Sequence, residues 1–364
     1  MKQEEAAPVV QPKRLRPHPL DVLLLGAPIA ILAKLFNWGD LTLFFASGLA
    51  IVPLARYIGM ATEELAGHVG SAAGGLLNAT FGNATELIIS YFALRAGHFE
   101  LVKASLIGSI LGNVLAVLGL SFLLGGWRRE QQRFNTVAAR AGGSQLALAA
   151  GALLVPAVLA ATAPIKEVAV YHLSMATALV LLAAYAAGLM FSLRTHAHLF
   201  TEEQETEIHG RRWSVRRSVL VLLISTLVVA VLSELLVEGV KGVTSQLGWS
   251  EVFVGVILVA LLGNAAEHAS AVTAAQRDDM DLALSIAVGS ATQIALFVAP
   301  VLVVLGALIG RPIDLLFSTF EVAGVAIGVA LVNLVINDGE SNWLEGVQLL
   351  AIYAILGAAF FVYP

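Results

Sequence analysis

The stretch that decides the fold is Gly82-Asn83-Ala84-Thr85-Glu86, which recurs as Gly263-Asn264-Ala265-Ala266-Glu267. The offset is 181 residues, and at that same offset Gly108-Ser109 meets Gly289-Ser290 and Gly125 meets Gly306. Both copies lie in long apolar runs, where a charge at membrane depth costs at least about 2.5 kcal/mol. A repeat has to be recognised before any motif inside it is read. Asn, Glu and Ser matched at such positions are not what a Leu/Ala/Val-rich composition produces by drift.

The surroundings of the motif are almost uniformly apolar. Of 364 residues, 58% are hydrophobic and 13% charged, and the mean hydropathy is +0.84. A soluble globular chain is about 25% charged. These values exclude a disordered protein, a nucleic-acid binder and an ordinary cytosolic enzyme. They describe an all-α polytopic membrane protein whose surroundings are the lipid bilayer, with oligomeric state left open. The absence of cysteine removes disulfides and thiolate metal sites. Residues 1–19 are polar, with Lys13, Arg14 and Arg16, and read as a short basic tail rather than a cleavable signal.

A spanning helix needs about 20 mostly apolar residues. Eleven candidates follow, at 20–36, 41–66, 74–97, 101–124, 144–163, 167–193, 215–238, 250–276, 281–309, 315–336 and 343–363. The repeat then divides the chain into a tail (1–19), an extra helix (20–36), a first five-helix repeat (37–194), a linker (195–214) and a second five-helix repeat (215–364). An odd number of helices inverts the second unit relative to the first, the arrangement of many secondary transporters. Glu63 has a counterpart in Glu234 at an offset of 171, which assigns ten extra residues to an outer loop around 239–249. With the N-terminus inside, fourteen Lys and Arg residues fall on inner segments and six on outer ones. The expected topology is N-terminus cytoplasmic and C-terminus outside.

Glu63, Glu64, Glu86, Glu234, Glu238 and Glu267 lie in or near spans, and none is explained by a basic partner in its own span, except Glu63 by the nearby Arg56. Glu86 and Glu267 fall near mid-span. A carboxylate there, without a fixed counter-ion, must be protonated or neutralised by a cation. A site alternating between those states is a proton/cation exchanger in outline. Asn83 and Asn264 precede the two acids by three residues and share their helix face. Gly82 and Gly263 are expected to loosen the helix beside them. Gly74, Gly75 and Gly82 surround Asn78, so a local break there would free backbone carbonyls. Carboxylates with amide and carbonyl oxygens suit Ca²⁺, which takes 6–8 oxygens. The lack of soft ligands argues against copper and structural zinc, and leaves Mn²⁺ open.

Each residue also has a plainer reading. A lone intramembrane Asn is usually helix-packing glue, but its pairing with a Glu at matched places in both repeats favours a ligand. Ser109, Ser290 and Gln293 lie beside glycines and serve either packing or site lining. His268 follows Glu267 and matches Leu87 in the other repeat, which weakens the case for it as lining. Glu63 and Glu234 are expected in opposite vestibules, as cation funnel, proton relay or gate, and Glu64 and Glu238 are expected to be solvated. The interruption THAHLFTEEQETEIHGRRWS (195–214) is a solvated linker, or a regulatory cation site built from Glu202, Glu203, Glu205 and Glu207 with His196 and His198.

At these residues the chain resembles the calcium/proton exchangers of the calcium/cation antiporter superfamily. The matching stretches are GLLNATFGNATELIIS (75–90), VKASLIGSILGN (102–113), GNAAEHASAV (263–272), MDLALSIAVGSATQIALF (280–297) and NDGESNWLEG (337–346), with ATEELA (61–66) and LSELLV (232–237) in the second and seventh spans. The resemblance implies two five-helix repeats and Ca²⁺/H⁺ exchange by alternating access through sliding of those two spans. It also implies Glu86 and Glu267 as cation ligands, Glu63 and Glu234 as gating-helix acids, and no resident cofactor. Similar proteins usually carry a small hydroxyl residue where Gly112 stands, the place Gln293 occupies in the other half. The Gly-Asn-Ala-x-Glu form differs from the sodium/calcium branch and favours protons as counter-ion. A Mn²⁺/H⁺ or Na⁺/H⁺ antiporter and a cation channel are the rival readings. Channels usually assemble rings from several subunits, whereas this repeat closes a site in one chain. An intramembrane enzyme is disfavoured, since the chain has neither a His-Glu-x-x-His motif nor a cysteine. The brief tail and linker suit a bacterial plasma membrane.

Overall fold

The structure, a computed structural model, describes residues 18–69, 71–164, 166–199 and 213–362. Its helices are α1 (Pro19–Phe36), α2 (Asp40–Val69), α3 (Ser71–Phe81), α4 (Ala84–Ala96), α5 (Phe99–Gly126), α6 (Thr136–Thr162), α7 (Glu167–Thr195), α8 (Val215–Leu247), α9 (Glu251–Gln276), α10 (Met280–Leu308), α11 (Thr319–Val335) and α12 (Trp343–Val362). Among the described residues nine are long and apolar enough to cross a bilayer; α11 is shorter, and the expected third span is divided into α3 and α4. Helices dominate because lipid offers no partner for a free backbone N–H or C=O.

The break in the third span lies at Gly82-Asn83. The Gly82 N–H closes α3 on the Asn78 carbonyl at 2.7 Å, and α4 restarts with Leu87 N–H on the Asn83 carbonyl at 3.1 Å. A Cβ at position 82 would stand 2.7 Å from that Asn78 oxygen, so the turn needs glycine. The break therefore falls past Asn78, which stays in intact helix. The expectation that Gly263 also loosens its helix is corrected, since Ala260–Gln276 is uninterrupted. The irregular turn of α9 comes earlier, at Val254–Val259, and is π-helical. Matching π turns widen α5 at Gly112–Val117 and α10 at Ile294–Val298. Such insertions gather at functional sites.

Small residues set the closest helix approaches. A Cβ on Gly108 of α5 would stand 2.1 Å from the Val256 carbonyl oxygen of α9, and one on Gly255 would stand 2.6 Å from Ala104 Cβ. Gly119 and Gly346 bring α5 and α12 together in the same way, and Gly239 and Gly242 bring α8 onto Asp40 and Phe44 of α2. Close backbone approach at small residues is how membrane helices gain packing without a hydrophobic driving force between them.

Several boundaries differ from the sequence reading. Helix α8 continues to Leu247, so most of the loop expected around 239–249 is helix. Residues 311–318 have no regular secondary structure, and α11 starts at Thr319 rather than 315. Lys103 holds that connection through Asp314 Oδ1 at 2.6 Å and the Leu316 carbonyl at 2.9 Å. At the face where α1 begins, the connections hold two short strands, β1 (Gln132–Arg133) and β2 (Glu340–Ser341), antiparallel with Gln132 opposite Ser341. The buried Gln132 amide donates to the Ala275 carbonyl at 3.0 Å and to Asp278 Oδ1 at 2.7 Å, tying this clasp to the end of α9.

The repeated Gly-Ser pair offers a matched test of this packing. Gly108→Ala forces a Cβ into the backbone of α9, and overpacking of this kind costs about 1–3 kcal/mol. Gly289→Ala meets nothing within 4 Å. Thermal unfolding in detergent is expected to show a lowered midpoint for Gly108→Ala and an unchanged or slightly raised one for Gly289→Ala.

Candidate cation site

Four helical segments meet around the repeated motif. Asn83 and the first turn of α4 bring Glu86. The middle of α9 brings Asn264, Glu267 and His268. Helix α5 brings Ser109 and Asn113, and α10 brings Ser290 and Gln293. Their side chains form one continuous hydrogen-bonded row. Asn83 Nδ2 donates to Gln293 Oε1 at 2.5 Å, and Asn83 Oδ1 accepts from Ser290 Oγ at 3.0 Å. Asn113 Nδ2 donates to Ser290 Oγ at 3.1 Å and reaches Asn264 Oδ1 at 3.4 Å. Asn264 Nδ2 donates to Ser109 Oγ at 3.0 Å and to the Ala260 carbonyl at 2.9 Å.

The repeat is visible in this row: each motif asparagine bonds the serine of the other half, both at 3.0 Å. With its amide committed to Ser290 and Gln293, Asn83 makes no side-chain cap on α4 although it stands at the N-cap. Glu86 therefore lies in a first turn whose N–H groups favour negative charge.

The two carboxylates flank the row. Glu86 is 8% exposed, and a Cβ on Gly263 would stand 3.2 Å from its Oε1. Glycine at 263 thus makes room for a carboxylate from the other half, a role different from the expected loosening. Gly263 lies four residues, about one helical turn, before Glu267, so Glu86 comes up beside the turn that carries the second acid. Glu86 Oε2, Glu267 Oε2, Asn113 Oδ1 and His268 Nε2 are buried with no hydrogen-bond partner. Unpartnered buried oxygens of this kind are the exception in folded proteins. A void of about 10 Å³ beside Glu86, lined by Ser90, Ser105 and Ser109, has room for at most one water. A larger cavity of about 240 Å³ between α6, α7 and α10 runs from Asn135 and Asp281 to Thr292 and Gln293, so it ends on the hydrogen-bonded row.

Among the described residues no three His, Cys, Asp or Glu side chains converge. A cation held here would be charge-balanced by two carboxylates and completed by amide, hydroxyl and backbone oxygens. That donor set suits a hard divalent ion. The imidazole of His268 lies over Gly112, with Cε1 4.0 Å from where a Cβ there would stand.

Other expected residues lie elsewhere. Asn78 is exposed on α3 and outside the row; Glu63 and Glu234 are exposed on α2 and α8. Because α8 extends to Leu247, Glu234 lies deeper in its helix than expected. Arg56 pairs with Asp21 at 2.6 Å rather than with Glu63. Glu238, expected to be solvated, pairs with Lys34, and Glu64 accepts from the Trp213 N–H at 3.4 Å. His196 stacks on Phe191 with ring centroids 4.1 Å apart. Glu202, Glu203, Glu205 and Glu207 lie outside the described residues. Asn113, fully buried and central to the row, is the residue that sequence reasoning missed. Its repeat counterpart is Ile294, so the repeat gave no signal, and the Gly-Asn pair after Ser109 was the available hint.

The family model for the sodium/calcium exchanger protein matches residues 40–194 and 217–362. The chain belongs to this family. It is 47% identical to the Ca(2+)/H(+) antiporter of Synechocystis sp. (strain ATCC 27184 / PCC 6803 / Kazusa), over 94% of this chain and 97% of that one. It is 43% identical to the Ca(2+)/H(+) antiporter ChaA of Bacillus subtilis (strain 168), over 93% and 97%. The solved structure of native YfkE superposes with a TM-score of 0.83 at 40% identity, covering 94% of this chain and all of that one. Family membership and the apolar helices together make this an integral membrane transporter of the exchanger type.

Replacing Asn113 with alanine strands the Asn264 side-chain oxygen, Oδ1, in the core. An unsatisfied buried group of this kind costs about 1–3 kcal/mol. Thermal unfolding of Asn113→Ala in detergent is expected to show that loss, and an unchanged midpoint would mean that the row does not bear on stability.

Proposed function

We propose that this protein is a secondary antiporter that exchanges Ca²⁺ for H⁺, with Glu86 and Glu267 as a shared site for both. The observation that carries this reading is the pair of buried, unpartnered carboxylate oxygens, one from each half, flanking a row of amides and hydroxyls. Neither carboxylate has an ion-pair partner among the described residues. Charge neutrality in a site shut off from water needs either two protons or one divalent cation. Ca²⁺ bound by both carboxylates excludes protons, and protons exclude Ca²⁺. That mutual exclusion makes the exchange obligatory. The names of the relatives at 47% and 43% identity support the choice of Ca²⁺ and H⁺ over a Na⁺ partner.

In this reading Asn83, Asn264, Ser109, Ser290 and Gln293 supply or position neutral oxygens, and Asn113 holds the row together. Glu63 and Glu234 act on α2 and α8 as access or gating acids, outside the bound ion's shell. The chain comprises the two five-helix repeats and the extra helix, with its N-terminus in the cytoplasm of a bacterial cell. Bacterial relatives and the excess of basic residues on the inner segments support that placement.

Two measurements test this reading. Glu86→Gln and Glu267→Gln are each expected to abolish Ca²⁺ uptake driven by a pH gradient in inverted vesicles, with folded protein retained. A near-normal rate in either variant removes that residue from the site. For the wild type, equilibrium Ca²⁺ binding is expected to weaken as pH falls, with protons released on binding; binding that is flat with pH eliminates the shared site. Glu63→Gln and Glu234→Gln are expected to keep Ca²⁺ binding and to lose transport rate from opposite sides.

A further inference from the structure

Helix α1 lies ahead of the family-matched residues, which begin at 40. Most of its surface faces outward: Val22, Leu25, Leu35 and Phe36 are all more than 60% exposed. Its inward stripe is small, Gly26, Ala30 and Ala33, and Gly26 lies so close to α2 that a Cβ would overlap the Ala46 carbonyl oxygen. That stripe fastens α1 along α2.

Its two charged residues lie one near each end, and each pairs with a different helix. Near the start of α1, Asp21 accepts from Arg56 of α2 at 2.6 Å, and the guanidinium also lies 4.9 Å from the Tyr57 ring centre. Near its end, Lys34 pairs with Glu238 of α8. The two charges are 13 residues apart, about 20 Å along a helix. Their partners lie on α2 and α8, the helices that also carry Glu63 and Glu234.

We infer that α1 is a strap that holds α2 and α8 together as one body, through Asp21–Arg56 at one face and Lys34–Glu238 at the other. Lys34 and Glu238 are then positioning residues for exchange, acting through the two helices they join. The inference rests on the exchange reading above, since its readout is the turnover of that exchange relative to the wild type. Helices that travel together need a link that survives the cycle. Helices that slide past each other would have to break it every turnover.

The chain has no cysteine, so introduced pairs can be linked without background. Lys34→Met and Glu238→Gln are each expected to slow Ca²⁺/H⁺ turnover roughly three- to fifteen-fold, the span of interhelical polar contacts in membranes. Equilibrium Ca²⁺ binding is expected to stay unchanged. The exchanged pair Lys34→Glu with Glu238→Lys is expected to restore turnover. Lys34→Cys with Glu238→Cys, joined by a short bifunctional maleimide, is expected to run faster than the same protein unlinked. Single variants at wild-type turnover overturn the strap, as does an exchanged pair that binds Ca²⁺ yet stays slow. Arrest of exchange by the covalent link also overturns it, because it means that α1 and α8 must separate in the cycle. A wild type that binds Ca²⁺ but moves no protons would sink the exchange reading instead.

Discussion

Two carboxylates buried without a basic partner constrain everything around them. Lipid cannot solvate Glu86 or Glu267, and among the described residues no lysine or arginine reaches either. The remaining stabilisation has to come from neutral dipoles that hold their own geometry. The row from Gln293 through Asn83, Ser290, Asn113 and Asn264 to Ser109 does this by leaving its members few alternative partners. Buried polar networks are costly when partly satisfied. The oxygens left over here are concentrated on the carboxylates and on Asn113, where a cation would use them.

Such a row requires irregular helices, and irregular helices in lipid must be enclosed by protein. The break at Gly82-Asn83 and the π turns of α5, α9 and α10 all lie in the packed middle of the bundle. Helix α5 is its axis, with 83% of its most apolar window buried. The glycines that let α5 meet α9 and α12 therefore serve the site indirectly, by closing the surroundings of the irregular turns.

The two halves use one motif in two ways. In the first, Gly-Asn interrupts a helix and sets Glu86 in a new first turn; in the second, Gly-Asn sits in unbroken helix and Gly263 yields space to Glu86. The Gly-Ser pair diverges likewise: Gly108 is pressed against α9, whereas Gly289 borders the 240 Å³ cavity. Identical residues in a repeat thus face unlike neighbours. A symmetric bundle would treat both faces alike.

The sequence by itself marked the apolar helices, the repeated Gly-Asn-Ala-x-Glu motif and the two acids set within apolar runs. Hydropathy is imposed residue by residue by lipid, and a carboxylate inside an apolar run is conspicuous because its burial is so costly. Tertiary structure alone decided who pairs with whom. Arg56 looked toward Glu63 in the same span and turned to Asp21 of α1; Glu238 looked solvated and found Lys34; Asn113, without a repeat partner, became the centre of the row. Span length and composition set neither the rotation of a helix about its axis nor its depth. Those follow from packing against neighbours far away in sequence, and a shift of one residue turns a side chain through about 100°.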